Sequence, residues 1–358
     1  MRYLFLTNTP AHVHLYKHAV ERLRRAGHDV LVLGRDYGCT VALLEYYDLP
    51  YEVYGSCDTT KRSLFRQLPR HYRNIVAATR RFDPDLVFGM GSYAAHAGAV
   101  SRTPVVLILD SEPTSLDHLL SRPFANTILT PHAFEKDLGA KHYRFRGFKE
   151  TAYLHPDEFE PADDIRAEMG VGDEPFAVVR FNAFGSHHDV SRGGFTPDQR
   201  RELLRRLSDH ATVFVSDEGG DLDLDGLDAR PFDLHPALLH DALSEAALLV
   251  ADTQTMVTEA ALLGTPAIRS NSWVGEDDMG NFRELERNDL VFNLADFEDV
   301  RSKAIALLRD RDTKARWSRR RDAFLEDKVN LTDLIIDIAS NRGTVRTDER
   351  VVHLTLST

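Results

Sequence analysis

Short apolar runs alternate with segments of helical periodicity along the N-terminal part of the chain. Alanine and leucine recur at helical spacing from Tyr16 to Arg25, and Gly27 ends that segment. Strands that alternate with helices predict a parallel sheet covered by helices on both faces. The predicted strands are Tyr3–Thr7, Val30–Leu33, Tyr51–Tyr54, Leu86–Phe88, Val105–Leu109 and Thr127–Leu129, and further helices are predicted at Val41–Tyr47 and Leu64–Arg81.

The same alternation begins again after a break in the pattern near Arg146. Two prolines, scattered aromatic residues and an acidic cluster follow that residue, which is typical of a linker. The pattern beyond it predicts a second parallel sheet. Its strands are expected at Phe176–Phe181, Thr212–Ser216, Leu248–Ala251, Pro266–Arg269 and Val291–Phe292, with helices at Ala237–Ala246, Asp296–Arg309, Lys314–Asp327 and Leu331–Ser340.

These patterns predict an α/β protein with two parallel-sheet domains. The length of 358 residues also exceeds what one hydrophobic core usually organises. The predicted division is an N-terminal domain over 1–150, a linker over 151–175, a C-terminal domain over 176–328, a helix over 329–342 for which a crossing back to the first domain is left open, and a loosely ordered tail over 343–358.

The charged residues restrict the classes of partner. The chain has 44 Lys+Arg against 56 Asp+Glu, a net charge of -12, which repels nucleic acid and anionic membrane surfaces. Its two cysteines, Cys39 and Cys57, lack metal-ligand spacing and fit a reducing compartment. No apolar run approaches the ~20 residues that span a bilayer. The sequence therefore predicts a cytoplasmic protein without a transmembrane segment.

The segment from Leu248 to Arg269 has the pattern of a phosphate site. An apolar strand ends before Asp252, a short polar loop follows, and a helix then runs to Gly264. Backbone N–H groups at a helix N-terminus bind anions, so the loop residues Thr253, Gln254, Thr255 and Met256 are candidate phosphate contacts. The alternative is that Thr255 only caps the helix.

Glu259 lies one position beyond the place where a capping box would need an acid. It is therefore a candidate to accept both hydroxyls of a ribose. The alternative is an acid that interacts with the dipole of the helix.

A glycine-rich turn follows the predicted strand at Leu86–Phe88. Gly89 and Gly91, with Ala94, match the G-x-G-x-x-G/A fingerprint of dinucleotide sites, but they follow the fourth strand instead of the first. The alternative is that Gly89, Gly91 and Ser92 let the backbone approach a ligand or the other domain closely.

Candidate catalytic side chains follow the ends of two other strands. Asp110 and Glu112 follow one, and two carboxylates there are suited to general acid and base roles, while a solvated loop is the alternative. In the second domain Arg180 ends a strand and is suited to a phosphate, and His188 in the next loop is a candidate proton carrier. No metal site is predicted, because the acidic run over 221–226 lacks the Glu that closes a calcium loop.

Taken together, these motifs resemble the GT-B superfamily of nucleotide-sugar enzymes, in which two Rossmann-like domains face each other across a cleft. The segment PDLVFGMGSYAAHAGAV looks like the glycine turn of the GlcNAc transferase that makes lipid II. ADTQTMVTEAALLGTPAI looks like the donor-binding strand, loop and helix of that enzyme and of the non-hydrolysing UDP-GlcNAc 2-epimerases. The patterns TAYLHPDEF, VVRFNAFGSHHD and TMVTEAALLGTP are most similar to a largely archaeal family of unknown function.

The resemblance implies roles for the candidate residues. Glu259 matches the acid that holds the ribose, and residues 253–256 match the pyrophosphate loop. Arg180 begins the loop that faces the diphosphate. Glu112 falls near a catalytic carboxylate of the epimerases, and His188 lies near their catalytic histidine.

The resemblance to the epimerases is incomplete. Their His-x-Glu-Ala-Gly-Leu-Arg sequence is replaced over 109–115 and lacks its Arg, and their His-Arg-Arg-Glu-Asn run is replaced over 181–189. The resemblance therefore implies a glycosyltransferase more than an epimerase.

The function that the resemblance implies is metal-independent transfer from a UDP-hexose or UDP-HexNAc donor in surface-glycan or lipid-linked saccharide synthesis. No cofactor is expected beyond the substrate nucleotide sugar. A UDP-sugar 2-epimerase or hydrolase, with Glu112 and His188 moving protons, is one alternative, and a non-catalytic sugar-nucleotide-binding protein is the other. A lipid-linked acceptor and a homodimer are left open.

Overall fold

The computed structural model of the protein describes residues 1–57, 61–182, 194–220, 222–271, 274–275 and 278–353. The chain divides into two compact units. The first unit consists of Met1–Phe159 together with Asp327–Thr358, and the second unit consists of Glu160–Glu326. The chain therefore leaves the first unit and later returns to it.

The first unit is built on an eight-stranded sheet, counted over the described residues, in the order β14-β7-β6-β5-β4-β1-β2-β3. All neighbouring strands are parallel except β14 and β7. The strands are β1 (Arg2–Thr7), β2 (Asp29–Asp36), β3 (Tyr51–Ser56), β4 (Leu86–Gly89), β5 (Val105–Ile108), β6 (Thr127–Pro131), β7 (His142–Phe145) and β14 (Val351–His353). The helices are α1 (Pro10–Arg25), α2 (Thr40–Tyr46), α3 (Lys61–Phe82), α4 (Ser92–Ser101), α5 (Ser115–Ser121), α6 (Thr151–Leu154) and α14 (Leu331–Ser340), with a 3₁₀ helix at Arg122–Phe124.

The second unit has a fully parallel sheet in the order β10-β9-β8-β11-β12-β13 over its described residues. The strands are β8 (Phe176–Phe181), β9 (Thr212–Asp217), β10 (Ala229–Pro231), β11 (Leu248–Ala251), β12 (Ala267–Arg269) and β13 (Val291–Asn293). The helices are α7 (Ile165–Glu168), α8 (Pro197–Ser208), α9 (Leu239–Glu245), α10 (Thr255–Leu262), α11 (Gly280–Arg287), α12 (Phe297–Arg309) and α13 (Thr313–Leu325), with a 3₁₀ helix at Pro236–Leu238.

The central strands of both sheets are buried along their whole length, as β4, β5 and β11 show. Parallel strands covered on both faces are apolar throughout instead of alternating, which explains why short continuous apolar runs located them. The prediction of an α/β protein with two parallel-sheet domains is confirmed. No described helix is both long enough and apolar enough to cross a bilayer.

The segment 151–175, predicted as a linker, is divided between the units. Residues 151–154 form α6 and are fully buried in the first unit, where α6 packs against α1 and α14. Ile165 and Met169 are buried in the second unit. The linker prediction is wrong for these residues because Thr151, Ala152, Tyr153 and Leu154 lie too close to two prolines and an acidic cluster for a helix to be recognised.

The tail also departs from its prediction. Residues 351–353 form β14, which pairs antiparallel with β7 at the edge of the first sheet, and Val351 is buried. Arg350 holds this segment to α14 through an ion pair with Asp337 at 2.8 Å. A three-residue antiparallel edge strand has no apolar run of its own, so the pattern could not predict it. Residues 354–358 lie outside the described part of the chain.

A buried carboxylate joins the two places where the chain crosses between the units. Glu158, near the point of departure, has a side chain that is 3% exposed and pairs with Arg22 of α1. The Nδ2 group of Asn330 donates to Glu158 at 2.6 Å, while the Oδ1 atom of Asn330 caps α14 by accepting from Thr332 at 2.9 Å. The start of α14 is therefore fixed to the segment from which the chain leaves the first unit.

Replacement of Glu158 by alanine is expected to lower the free energy of unfolding by about 2–3 kcal/mol, because Arg22 and Asn330 lose a buried acceptor. Urea unfolding of the full chain would measure this loss. Glu21→Ala on α1 is the matched control, since Glu21 is exposed and its ion pair with Arg25 contributes less than about 0.5 kcal/mol. Equal effects of the two substitutions would contradict a stabilising role for Glu158.

Candidate functional site

Polar side chains collect where the parallel strands of the second sheet end. Asp252 directly follows β11 and is 1% exposed. Its Oδ1 atom accepts a hydrogen bond from the backbone N–H of Asn182, which follows β8, at 2.7 Å. Its Oδ2 atom has no hydrogen-bond partner among the described residues, and a Cβ on Gly194 would lie only 2.0 Å from it. Asp252 therefore contacts residues from two separate segments of the second unit.

Burial also controls the protonation of this carboxylate. Desolvation raises the pKa of Asp252 to about 6, against the hydrogen bond from Asn182 and the positive charge of Arg200, which lower it. Arg200 donates to the Asn182 carbonyl at 3.0 Å. Asp252 is therefore ionised at neutral pH but takes up a proton in mild acid.

The start of α10 follows Asp252 after two loop residues. Gln254 is the N-cap residue and makes no side-chain cap, and Thr255 is the first residue of the helix. The alternative in which Thr255 only caps the helix is therefore wrong. The Thr253 hydroxyl is buried without a partner among the described residues. The helix N-terminus, with Met256 in its first turn, is thus a place where backbone N–H groups and a hydroxyl can meet an anion.

Glu259 lies in the second turn of α10 and is 3% exposed. Its Oε1 atom is 3.0 Å from Nε2 of His240 on α9. The sequence correctly separates Glu259 from a capping box, but spacing along one helix gave no sign of a partner on another. His240 fixes the orientation of the carboxylate, so any hydroxyl that reaches it meets an acceptor already in place.

Arg180 is the penultimate residue of β8 and is held by one group from β9 and one from the loop after it. Its guanidinium donates to the hydroxyl of Ser216 and forms an ion pair with Glu218. The Arg180 side chain is 22% exposed and that of Glu218 is 40% exposed. An incoming phosphate would therefore replace an exposed carboxylate that already neutralises this cation.

A second arginine at this edge was not predicted as a site residue. Arg269, at the end of β12, is fully buried and pairs with Asp278, and its Nε atom donates to Asn293 at 2.9 Å. Its guanidinium lies 3.6 Å from the centre of the Phe282 ring. Burial lowers the pKa of Arg269 to about 10, so it remains cationic at neutral pH. In the sequence, Arg269 marks only the end of an apolar strand, and nothing in the pattern indicates its partners Asp278 and Asn293.

In the first unit, Asp110 follows β5 and forms an ion pair with Lys149. The Nζ atom of Lys149 is 2.5 Å from Asp110 and 3.4 Å from Glu150. The Lys149 and Glu150 side chains are about nine-tenths buried or more, whereas that of Asp110 is 20% exposed. The sequence analysis missed Lys149 because it lies in the break of the pattern that follows Arg146, far along the chain from Asp110.

Glu112 does not join the ion pair of Asp110 and Lys149 but bonds to residues that follow β6. It accepts a hydrogen bond from the backbone N–H of Glu135 at 3.0 Å, and its carbonyl accepts from Lys136 at 2.6 Å. The predicted carboxylate pair is therefore placed on one loop, but each carboxylate has a different partner.

His12, which follows β1, belongs to the surroundings of Asp110. Desolvation and the positive charge of Lys149 lower the pKa of His12 to about 3, although Asp110 opposes the shift. Its Nδ1 atom accepts from the backbone N–H of Asn8 at 3.1 Å, so the neutral ring carries its proton on Nε2. His12 is thus a hydrogen-bond donor and not a base.

The glycine turn after β4 is approached by a side chain of its own unit. Asp117 accepts from the backbone N–H of Ser92 at 3.0 Å and from its hydroxyl at 2.6 Å. Gly91 has φ +77°, and a Cβ there would lie 2.2 Å from Asp117, while a Cβ on Gly89 would lie 2.4 Å from Ala94. The glycines were expected to let a ligand or the other domain approach the backbone. In the structure it is Asp117 of α5 that approaches it.

His188, the predicted proton carrier, lies outside the described residues. Among the described residues, no group of three or more His, Cys, Asp and Glu side chains is arranged to hold a metal ion.

Comparisons with known proteins support the architecture. The chain is 22% identical to the uncharacterized protein MJ0665 of Methanocaldococcus jannaschii over 307 residues, 82% of this chain and 88% of that protein. Its structure is similar to that of the Neisseria meningitidis UDP-GlcNAc 2-epimerase bound to UDP-GlcNAc, with TM-score 0.66, 13% identity and coverage of 95% and 100% of the two chains. It is equally similar to the spinosyn forosaminyltransferase SpnP, with TM-score 0.66, 14% identity and coverage of 96% and 100%. These similarities confirm the predicted GT-B-like fold.

The predicted relationship to an uncharacterised family is confirmed as well. The sequence pattern of the family described as "Protein of unknown function (DUF354)" matches residues 2–342, nearly the whole chain, and the protein therefore belongs to that family.

Proposed function

We propose that this protein binds a nucleotide sugar at the carboxyl edge of its second sheet and transfers the sugar to an acceptor hydroxyl. The observation that carries the proposal is the start of α10. An uncapped helix N-terminus lies there beside the buried hydroxyl of Thr253, and the buried pair of Glu259 and His240 follows one turn later.

The helix N-terminus fits the diphosphate. Several backbone N–H groups point in one direction there and carry partial positive charge, which suits two adjacent phosphate groups. The hydroxyl of Thr253 adds a donor, and Arg180 adds a cation once phosphate oxygens replace Glu218. These fixed donors would also stabilise the negative charge of the departing diphosphate during transfer.

The pair of Glu259 and His240 fits the ribose. A carboxylate with a fixed orientation accepts hydrogen bonds from two neighbouring hydroxyls, and His240 supplies that fixation. UDP is the nucleotide to test first, because the Neisseria meningitidis epimerase that shares the fold was solved with UDP-GlcNAc bound.

Asp110 is the proposed general base for the acceptor hydroxyl. It keeps partial exposure, and Lys149 holds one of its carboxylate oxygens in place. His12, whose pKa is lowered to about 3, is neutral and does not compete for the proton. One oxygen of Glu112 accepts from the backbone N–H of Glu135, so this carboxylate is held by the loop after β6 instead of by Lys149.

Glu259→Ala is expected to weaken the binding of UDP by about tenfold or more, since two hydrogen bonds to ribose hydroxyls are lost. Isothermal titration calorimetry of wild type and variant measures the change, and Glu259→Gln serves as the variant that preserves the shape of the side chain.

Glu218→Gln is the matched control at the same edge. Because Glu218 competes with phosphate for Arg180, its neutralisation should leave UDP affinity unchanged or raise it. Equal affinity of wild type and Glu259→Ala for UDP would reject the ribose contact, and a thermal shift with NAD but none with UDP would reject the proposed function.

Asp110→Asn is expected to lower the transfer rate by about 10²–10⁴-fold without changing UDP affinity, because only the general base is removed. The assay is release of UDP from a UDP-sugar in the presence of candidate acceptors, with product analysis. Interconversion of the free UDP-sugar with no acceptor present would show an epimerase instead.

The protonation of Asp252 predicts a dependence of stability on pH. The folded pKa of about 6 exceeds the ordinary value of 3.8, so the folded state binds the proton of Asp252 more tightly than the unfolded state does. This proton binding stabilises the fold fully below pH ~4, and the stabilisation is lost as the pH rises through ~6. The loss amounts to about 2–3 kcal/mol in the free energy of unfolding. Urea unfolding between these pH values should show this decline in the wild type and not in Asp252→Asn. An unchanged decline in the variant would assign it to other groups.

A further inference from the structure

The short helix α5 exposes its apolar side chains to solvent instead of packing them against the core. Leu116, Leu119 and Leu120 are 67%, 66% and 47% exposed, whereas the polar residues His118 and Ser121 are buried. Leucines at spacing i, i+3 and i+4 form one stripe, and such a stripe normally faces the core. In α5 it faces solvent.

Polar contacts fix α5 in this orientation. Asp117 is bound to Ser92 at the start of α4, and the Lys136 ammonium donates to the Ser115 hydroxyl at 2.8 Å. The Leu120 carbonyl lies 3.2 Å from Nε2 of His96 on α4. The leucines therefore cannot turn inward without loss of these contacts.

The exposed apolar surface continues beyond α5. Phe124 is 46% exposed, and its ring lies 5.2 Å from that of His96, which in turn bonds to Tyr72 of α3 at 2.8 Å. Phe65, 67% exposed, lies two turns before Tyr72 on the same face of α3. We name Leu116, Leu119, Leu120 and Phe124 the apolar patch.

The charge of this region is opposite to that of the whole chain. The net charge is -12, yet α3 contains seven Lys and Arg and no Asp or Glu. Arg66, Arg70 and Arg73 are exposed at spacing i, i+4 and i+7, so they form one line along the helix, which we name the basic stripe. Between 113 and 124 the one acid is Asp117, whose carboxylate is bound to Ser92.

We propose that the apolar patch and the basic stripe form a surface that docks onto an anionic lipid bilayer. Leucine and phenylalanine side chains that protrude from a helix enter the boundary between headgroups and acyl chains, and nearby arginines pair with anionic headgroups. A second copy of this chain would bring one basic stripe against another, which is unfavourable. The net charge of the whole chain would repel an anionic membrane if it were spread evenly over the surface. The basic residues are instead concentrated on α3, so this surface can attract such a membrane.

This surface lies entirely in the first unit and does not depend on nucleotide-sugar binding. The helix α5 begins a few residues after Asp110 and Glu112, so the docked face adjoins the carboxyl edge of the first sheet. An acceptor carried by a lipid would therefore arrive beside the proposed base.

Co-sedimentation of the full chain with vesicles tests the proposal. The wild type should bind phosphatidylcholine vesicles that contain phosphatidylglycerol, and high salt should weaken this binding. Binding to pure phosphatidylcholine should be weaker by about tenfold or more, because the arginines lose their anionic partners.

Two variants test the two parts of the surface separately. Leu116→Ser with Leu119→Ser, and Arg66→Glu with Arg70→Glu, should each weaken binding to the anionic vesicles by about tenfold or more. The first matched control is Val352→Ser, at an apolar residue of β14 that is 53% exposed. The second is Arg205→Glu with Arg206→Glu on α8, which changes the net charge by the same amount. Both controls should bind like the wild type.

Several outcomes would overturn the proposal. Failure of the wild type to sediment with anionic vesicles would do so, as would equal binding by the patch variants and the wild type. Self-association that the leucine substitutions abolish, without vesicle binding, would assign the surface to a second copy instead. UDP calorimetry on the same variants separates this result from the proposed function, since neither pair of substitutions touches the second unit.

Discussion

The constraint on which the structure depends is the parallel direction of nearly all strand pairs in both sheets. Parallel strands have to be joined by crossovers, so every strand of a sheet delivers its carboxyl end to the same edge. Asn182, Ser216, Asp252 and Ser270 come from four strands of one sheet and meet at one edge for this reason. The polar groups of each unit are therefore brought together at one edge of its sheet from segments that are far apart in the sequence.

The same constraint explains how buried charged side chains at these edges find partners. Buried ions need partners, and the partners come from other strand ends or from helices that begin there. Asp110 meets Lys149 in this way, and Arg269 meets Asp278. Asp252 has one oxygen without a protein partner among the described residues, and desolvation by burial raises its pKa.

Much of the fold was predictable because a parallel strand buried on both faces leaves a continuous apolar run. Such runs located β4, β5, β8 and β11 to within a residue or two. The unpredicted strands β7, β10 and β14 are short and lie toward the edges of their sheets, where an apolar run is not required.

The sequence predicts only those parts of the site that lie within one continuous segment. The loop before α10 and the position of Glu259 follow from spacing along one segment. The partners Lys149 and His240 do not, since they reach their sites through folding of distant segments. The orientation of α5 was hidden for a related reason, because its leucines have the spacing of a core helix and only tertiary contacts turn them outward.

The discontinuous first unit has a consequence for synthesis on the ribosome. The second unit is one continuous segment, so all of its strands are available while later residues are still being added. The first unit lacks α14 and β14 until the residues after Glu326 have been added, which leaves α1, α6 and the edge of β7 uncovered while the second unit is made. A nascent chain therefore has the whole of the second unit before it has the whole of the first.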